Sequence, residues 1–344
     1  MSQNKIQNKK LIFLRSIHTP FGGAEVSLSR LTQELSRQNI EFEIRYSSAP
    51  KFLSSWIKAW WFNWESRFKK QKNELYFSLD RLDSADIYRA GDGVHKAYLK
   101  TKSFSLNPLH FTYLILEKRC FKNSKHIICN SYLIQKEIQN YYQIPDSKIS
   151  VIPNGLAPVS INPDAKNKLL QEFSIDKNLP IILFVGSGFN RKGMSEFLKL
   201  ISQIKTPFHS FIIGKEKNLN FYKSEAESLN LLSKISFTGQ RLDVSDFYSA
   251  ADIFIFPPKY EPFGNVVLEA MAYGCVSFTN QNCGMVDFMP EKFWINKNTP
   301  SLIDDLLNNP EKLAQAKTEL QTIAAQYSIE KTAQETLKII QKFL

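Results

Sequence analysis

Four charged residues in the second half of the chain are spaced for anion and hydroxyl chemistry. Arg191 and Lys192 are adjacent, set between Gly186-Ser187-Gly188 and Gly193, just after the apolar run Ile181–Val185. Two neighbouring cations in a glycine-flanked loop can hold a diphosphate and stabilise the charge that grows on it as it leaves. A solvated basic turn is the commoner use of a single Arg-Lys pair, so its companions decide the reading. Those companions are Glu261 and Glu269, eight residues apart in Lys259-Tyr260-Glu261-Pro262-Phe263-Gly264-Asn265-Val266-Val267-Leu268-Glu269-Ala270. Carboxylates accept hydrogen bonds from hydroxyls, which suits sugars and riboses.

The elements that must position these groups are legible around them. Ile253–Phe256 is apolar throughout and ends at Pro257-Pro258, the pattern of a short buried parallel strand. Good helix formers follow Gly264, and that helix should stop near Gly274. Glu261 then lies on a loop at a strand's C-terminal edge, with Glu269 inside the next helix, and such edges are where open α/β sheets bind ligands. Further strands are expected at 208–213, 235–237 and Val276–Thr279, with a helix over Val244–Ala250 capped by Asp243.

The first half opens with a strand at 11–14, a loop containing Gly22-Gly23, and a helix marked by Ala24, Leu28, Leu31 and Leu35. The loop is not G-x-G-x-x-G, so a dinucleotide fingerprint is absent. Gly22-Gly23 at a helix start permits close approach of backbone to a phosphate, although a glycine pair in a tight turn is common. Strands are expected at Phe42–Tyr46, His126–Cys129 and 149–152. Another ends at the loop Gly91-Asp92-Gly93-Val94-His95, which brings Asp92 and His95 to the ligand edge. A turn-forming Asp and a surface His are the ordinary readings of that pair. Alternating strands and helices in both halves imply an α/β chain of two doubly wound sheets, with the cleft between them as the default site.

Composition narrows the class. The 344 residues are 43% apolar and 22% charged, ordinary for a globular protein. No apolar run approaches a membrane span, and residues 11–14 are too short for a signal sequence before Arg15. Cys120, Cys129, Cys275 and Cys283 form no CxxC pair and read as idle thiols of a reducing cytosol. The net charge of +11 sits entirely in residues 1–160, with 24 Lys/Arg against 13 Asp/Glu. That asymmetry points to an anionic partner for the first half. Within it, Trp56, Trp60, Trp64 and Phe68 recur every four residues among Lys58, Arg67, Lys69 and Lys70, and residues 96–125 alternate basic and aromatic side chains. Both stretches suit a membrane interface; the simpler expectation for the tryptophan stripe is a helix packed on a sheet with its lysines extended to water. No nucleic-acid motif accompanies the basic charge.

Taken together, the blocks Gly-x-x-x-x-Arg191-Lys192-Gly193, Ala251-Asp252-x-Phe254-x-x-Pro257 and Glu261-Pro262-Phe263-Gly264-Asn265-x-x-Leu268-Glu269-Ala270-Met271-Ala272-x-Gly274 resemble the retaining GT-B glycosyltransferases of family 4 (group 1). Pro20-Phe21-Gly22-Gly23 and Ile152-Pro153-Asn154-Gly155 agree with it. Leu82-Asp83-Ser84-Ala85-Asp86-Ile87-Tyr88-Arg89-Ala90-Gly91-Asp92 is similar, more loosely, to the branch of lipopolysaccharide core glucosyltransferases that act on heptose.

The resemblance implies two Rossmann-like domains facing a cleft. Residues 1–156 would bind acceptor, 157–327 would bind the nucleotide-sugar, and 328–344 would form a helix crossing back to the first domain. It implies a hexose donor, UDP-linked in the first instance, bound without a metal or other cofactor. Arg191 and Lys192 would neutralise the diphosphate, with Gly22 and Gly23 approaching the diphosphate or the donor sugar from the other side. Glu261 would take the donor sugar's hydroxyls beside the N–H groups of Phe263, Gly264 and Asn265. Glu269 would hold the ribose, Gly239 and Val244 would border the base, and Asp92 would serve the reacting carbon and acceptor. The implied place of action is the cytoplasmic face of the inner membrane, on an anionic glycan or glycolipid, with no nucleic acid. A nucleotide-sugar epimerase or hydrolase of the same fold, and an inactive glycan- or lipid-binding homologue, are the alternatives. Pro258, Cys275 and Asp287 depart from the residues frequent in the family at those places.

Overall fold

The computed structural model describes residues 9–16, 23–102 and 105–344, with only the backbone described for 23–27. It divides into two units: Met1–Gly155 together with Ser328–Leu344, and Leu156–Tyr327. Short β-branched and aromatic runs separated by amphipathic helices cannot bury their apolar faces alone. In each unit they do so as a parallel sheet with helices on both sides.

The first unit's sheet contains β1 (Lys10–Arg15), β2 (Phe42–Tyr46), β3 (Glu74–Ser78), β4 (Ile87–Ala90), β5 (His126–Cys129) and β6 (Ile149–Val151), in the order β2-β1-β3-β4-β5-β6. One face carries Phe13, Leu75, Phe77 and Ile87 against Leu28, Leu31 and Leu35 of the helix Gly23–Arg37. The helix Ile329–Gln341 packs on the same face through Ala333, Leu337 and Ile340. Its N-cap Ser328 accepts from Lys331 N–H, and Thr332 Oγ1 donates to Pro153 O.

The second unit's sheet contains β7 (Ile181–Val185), β8 (His209–Ile213), β9 (Ile235–Gly239), β10 (Ile253–Phe256) and β11 (Val276–Thr279), ordered β11-β10-β7-β8-β9. Both sheets therefore reverse direction once along their order. The reversal falls between β1 and β3 in the first and between β7 and β10 in the second. Helices leaving such a pair of strands diverge to opposite faces and open a crevice at the strands' C-terminal ends.

Three sequence expectations need correction. The strand β3 was not anticipated: its apolar centre is only Leu75-Tyr76-Phe77, flanked by polar Glu74 and Ser78, yet all five residues are buried between β1 and β4. The tryptophan stripe does not supply the buried face of the helix Ser55–Lys69. Phe62, Asn63, Glu65 and Ser66 do, while Trp64 and Phe68 are 56% and 70% exposed. Packing there combines Phe62, clustered with Ile12, Leu14, Tyr76 and Leu82, with polar contacts, Ser66 Oγ with Ser84 Oγ and Asn63 Oδ1 accepting from Asp83 N–H. Asp243 precedes the helix Val244–Ala250 without capping it; its carboxylate is taken by Arg241 at 2.9 and 2.7 Å.

Candidate functional site

In the second unit Arg191, Lys192 and Glu261 meet at the β7/β10 reversal, and Glu269 does not join them. Gly188, at φ +75°, starts the short helix Phe189–Lys192, and Gly193, at φ +78°, ends it. A Cβ on Gly193 would stand 1.7 Å from Pro257 O, so no other residue lets this turn pass the end of β10. That close passage brings Arg191 and Lys192 to the loop after β10. Arg191 NH1 donates to Glu261 Oε2 at 3.0 Å and to Tyr260 O at 3.2 Å. Lys192 Nζ donates to the same Glu261 Oε2 and lies 5.2 Å from the centre of the Phe256 ring. Two cations thus share one carboxylate oxygen in the crevice. Glu216 fixes the turn from the end of β8, its Oε2 accepting from Phe189 N–H at 2.7 Å.

Glu261 is held as part of a further seam. Its N–H donates to Asn282 O, and its carbonyl accepts from Gly284 N–H. Gly264, at φ +100°, precedes the helix Asn265–Ala272. A Cβ there would meet Cys283 Sγ at 2.5 Å, which explains the glycine. In the first turn of that helix Val267 N–H and Leu268 N–H donate to Gly264 O at 2.9 and 3.4 Å. Phe263 itself is buried, its ring 6.0 Å from that of Phe288, so only its backbone can reach a ligand.

Glu269 lies in the helix interior and accepts from Tyr248 Oη at 3.0 Å. Burial raises its pKa above the ordinary carboxylate range, and the tyrosine's hydrogen bond opposes that only in part. Tyr248 stacks on Tyr273 with ring centres 5.6 Å apart. Tyr248 was not anticipated from sequence. Its only signal is a tyrosine inside Asp246-Phe247-Tyr248-Ser249-Ala250, indistinguishable there from a core residue. Gly239 ends β9 at φ +72° with open space around it. Val244 begins the next helix and is half-buried against the second unit's core.

The first unit's ligand edge holds a different set. Asp92 follows β4 and is 72% exposed on its side chain. Beneath it lies Arg81, whose Nε donates to Glu117 at 3.0 Å, whose NH2 donates to Gly93 O at 3.0 Å, and whose NH1 stands 3.9 Å from Asp92. Fully buried Glu117 also accepts from His95 N–H at 2.6 Å and Tyr142 Oη at 2.6 Å. His95 opens the helix His95–Leu99. Its Nε2 is 3.1 Å from His110 Nδ1, and burial pushes its pKa down to about 4. Asp92 is therefore accessible, and His95 is neutral and engaged. At the end of β3, Asp80 accepts from Ser16 N–H at 2.7 Å and Ser16 Oγ at 2.6 Å; burial raises its pKa. Asp80, Arg81 and Glu117 were missed because the strand before Asp80 was missed and Glu117 sits in a basic, aromatic run. Gly23 begins the first helix; Gly22 lies outside the described residues.

Among the described residues no group of three or more His, Cys, Asp or Glu side chains is placed to hold a metal ion. The four cysteines are buried and unpaired, and burial raises the Cys120, Cys129 and Cys283 thiols to about 12. No described helix is long and apolar enough to cross a membrane.

Residues 165–322 match the model for glycosyl transferases group 1, and residues 77–158 match that for glycosyltransferase family 4. The chain is 25% identical over 241 residues to the lipopolysaccharide glucosyltransferase WaaG of Escherichia coli (strain K12), covering 66% of this chain and 64% of that protein. Its alignments thus span less than two thirds of the first curated relatives' length. Among solved structures, that of WaaG, a glycosyltransferase involved in lipopolysaccharide biosynthesis, superposes with a TM-score of 0.76 at 19% identity, covering 96% of this chain and 99% of the other. Anabaena Alr3699/HepE in complex with UDP and glucose gives 0.75 at 16% identity, covering 97% and 100%. At these identities the superpositions establish the two-unit GT-B fold.

Proposed function

We propose that this chain, which belongs to the family 4 (group 1) glycosyltransferases, moves a hexose from a UDP-sugar to a lipopolysaccharide-core or other lipid-linked glycan acceptor. The observation that carries the reading is the pairing of Arg191 and Lys192 with Glu261 at the β7/β10 crevice. An arriving diphosphate offers two cations more negative charge than one carboxylate does, so it displaces Glu261 from them. The freed carboxylate then accepts hydrogen bonds from the hexose hydroxyls. Glu269 accepts from the ribose. As the sugar–oxygen bond breaks, charge builds on the leaving diphosphate where Arg191 and Lys192 already stand, which lowers the barrier without a metal. Asp92 is assigned to the acceptor, whose hydroxyl attacks from the face the diphosphate leaves and gives up its proton to the departing diphosphate oxygen, so configuration at the transferred carbon is retained.

The test is thermal unfolding with UDP-, GDP- and ADP-hexoses, because a ligand bound only to the folded state raises Tm. A UDP-hexose is expected to raise it; no shift with any of the three would overturn the reading. Glu269→Gln sharpens the result. A buried carboxyl with a raised pKa stabilises the fold when protonated and loses that contribution as pH rises through its folded-state value. Glu269→Gln should therefore unfold at a higher temperature than wild type at pH 7–8, by a margin that shrinks in acid, while its UDP-linked shift falls. A variant that is less stable at pH 8 and equally responsive to UDP would remove Glu269 from the ribose site. Acceptor-free turnover of the donor would instead indicate a hydrolase or epimerase.

The first unit supplies a surface for the lipid side of such an acceptor. The helices Ser55–Lys69 and Pro108–Asn123 pack together, with Trp60 Nε1 donating to Thr112 Oγ1 and Arg119 over the Trp60 ring. They expose Trp61, Trp64, Phe68, Phe111 and Ile115 among Lys58, Arg67, Lys118 and Lys122. Aromatic rings at headgroup depth and cations toward anionic lipid is the pairing expected at a bilayer interface. The protein is expected to co-sediment with phosphatidylglycerol liposomes at low salt and to be released as salt rises. Trp64→Ser/Phe68→Ser should weaken binding several-fold. Absence of binding at low salt would sink the membrane role.

A further inference from the structure

Asp92 stands between Gly91 and Gly93, the latter at φ +73°. A residue flanked by two glycines has little local restraint of its own, because glycine backbone visits conformations closed to other residues. The restraint here comes from side chains beneath the loop. Asn130 Nδ2 donates to Gly91 O at 3.0 Å, and Arg81 NH2 donates to Gly93 O at 3.0 Å. The carbonyls on either side of Asp92 are therefore both held, one from the residue after β5 and one from the chain that leaves β3. Arg81 NH1 also stands 3.9 Å from the Asp92 carboxylate, a charge that favours one direction for it.

Arg81 is in turn held by Glu117. That carboxylate is fully buried on the helix Pro108–Asn123 and takes four donors. Its Oε2 accepts from Arg81 Nε at 3.0 Å and from His95 N–H at 2.6 Å. Its Oε1 accepts from Tyr142 Oη at 2.6 Å and from Lys96 N–H at 3.3 Å. The helix His95–Leu99 has no side-chain cap from its own N-cap residue, Val94. Glu117 supplies from another helix the acceptor that those first N–H groups lack. One carboxylate thus ties together the chain after β3, the helix that follows Asp92, and the last residue of the helix Tyr132–Tyr142. A buried ion pair is weak evidence for stability, since apolar residues of similar volume often serve a fold as well. What this pair does supply is direction: its hydrogen bonds converge on the loop that presents Asp92.

We propose that Arg81, held by Glu117, and Asn130 are positioning residues that fix Asp92 for the acceptor. They touch no substrate. They remove the freedom that the two glycines would otherwise give the loop, so that the carboxylate meets the acceptor already placed. Misplacing a reacting group by about 1 Å costs about 10²-fold in rate, which is why a loop of this kind is worth holding. The proposal rests on Asp92 serving the acceptor; the pinning of the loop does not.

The experiment uses the full chain, UDP-glucose as donor probe and a lipopolysaccharide truncated in its core as acceptor probe. Asp92→Asn and Arg81→Lys are each expected to lower kcat/KM for the acceptor at least tenfold while the thermal shift with UDP-glucose stays unchanged. Arg81→Lys keeps the charge opposite Glu117 and loses the planar fork that reaches Glu117 and Gly93 together. The double variant decides between roles. If Arg81 acts through Asp92, Asp92→Asn/Arg81→Lys transfers within twofold of Asp92→Asn alone; if Arg81 is merely structural, the two losses multiply. Glu117→Gln should follow the Arg81→Lys pattern. Asn130→Ala goes through the same cycle and covers the case in which Arg81→Lys does not fold. Amide hydrogen exchange reads the loop without any acceptor: residues 91–96 should exchange at least tenfold faster in Arg81→Lys and in Asn130→Ala, with Tyr76 and Phe77 of β3 unchanged. Multiplied losses, or unchanged loop exchange in both variants, overturn the positioning role. Asp92→Asn transferring at the wild-type rate overturns the assignment of Asp92 and the positioning with it. A wild-type chain that transfers nothing, while loop exchange responds as expected, overturns the proposed acceptor and leaves the pinned loop standing.

Discussion

Lys192→Ala is expected to lower the rate of hexose transfer by about 10²–10³, the usual loss when one preorganised group facing a leaving oxyanion is removed. The variant should remain folded, because Arg191 still pairs with Glu261 and no buried carboxylate is left without a cation. The loss should appear in kcat at saturating donor more than in donor KM, because the charge that Lys192 meets grows only as the bond breaks. Glu261→Ala removes the sugar-facing carboxylate and leaves both cations free. It should bind UDP at least as tightly as wild type while transferring poorly, which separates sugar recognition from diphosphate recognition. If both variants transferred at wild-type rates, the β7/β10 cluster would have no part in the reaction.

The second large effect is structural. Gly193→Ala places a Cβ at a position 1.7 Å from Pro257 O, in a backbone conformation of φ +78°. Left-handed backbone costs a non-glycine residue roughly 1–2 kcal/mol, and relieving the overlap requires a backbone shift of the kind that costs roughly 1–3 kcal/mol. A loss of about 2–5 kcal/mol is expected in denaturant unfolding followed on the second unit. Because the turn carrying Arg191 and Lys192 must move to relieve the overlap, nucleotide-sugar binding should fall with it. Gly188→Ala is the control: its φ is +75°, but nothing lies within 4 Å of the added carbon, so only the conformational cost remains. Equal stability losses in the two variants would show that the close passage beside Pro257 is not what demands the glycine.

Much of this arrangement was legible before the fold was known, for a physical reason. Parallel strands buried on both faces are continuous apolar runs, and Ile181–Val185 and Ile253–Phe256 are of that kind. Their C-terminal ends, where Arg191, Lys192 and Glu261 follow, could therefore be located by counting. β3 escaped because a five-residue strand with polar ends has only a three-residue apolar signal. Losing it also lost Asp80, Arg81 and the reversal between β1 and β3. The helix Ser55–Lys69 misled in the opposite way. Hydrophobic periodicity identifies a buried face only when the opposing surface is apolar. Here that surface is mixed: Phe62 joins Ile12, Leu14, Tyr76 and Leu82, while Ser66, Asn63 and Glu65 meet Ser84, Asp83 and Ser48, so the four-residue aromatic repeat does not mark the buried side. The pairing of Glu261 with both cations, and of Tyr248 with Glu269, depends on side-chain reach across strands and leaves no trace in spacing.

The helix Ile329–Gln341 completes the first sheet's apolar face from beyond the whole second unit. A ribosome delivers residues 1–155 first, yet Ala333, Leu337 and Ile340 reach that face only after 156–327 have emerged. The second unit carries all of its own strands in one continuous segment and can close as it appears. Synthesis order and completion order are therefore inverted, and the earlier-made half waits with Phe13, Phe77 and Leu31 partly uncovered. During that interval the nascent chain presents an uncovered apolar sheet face.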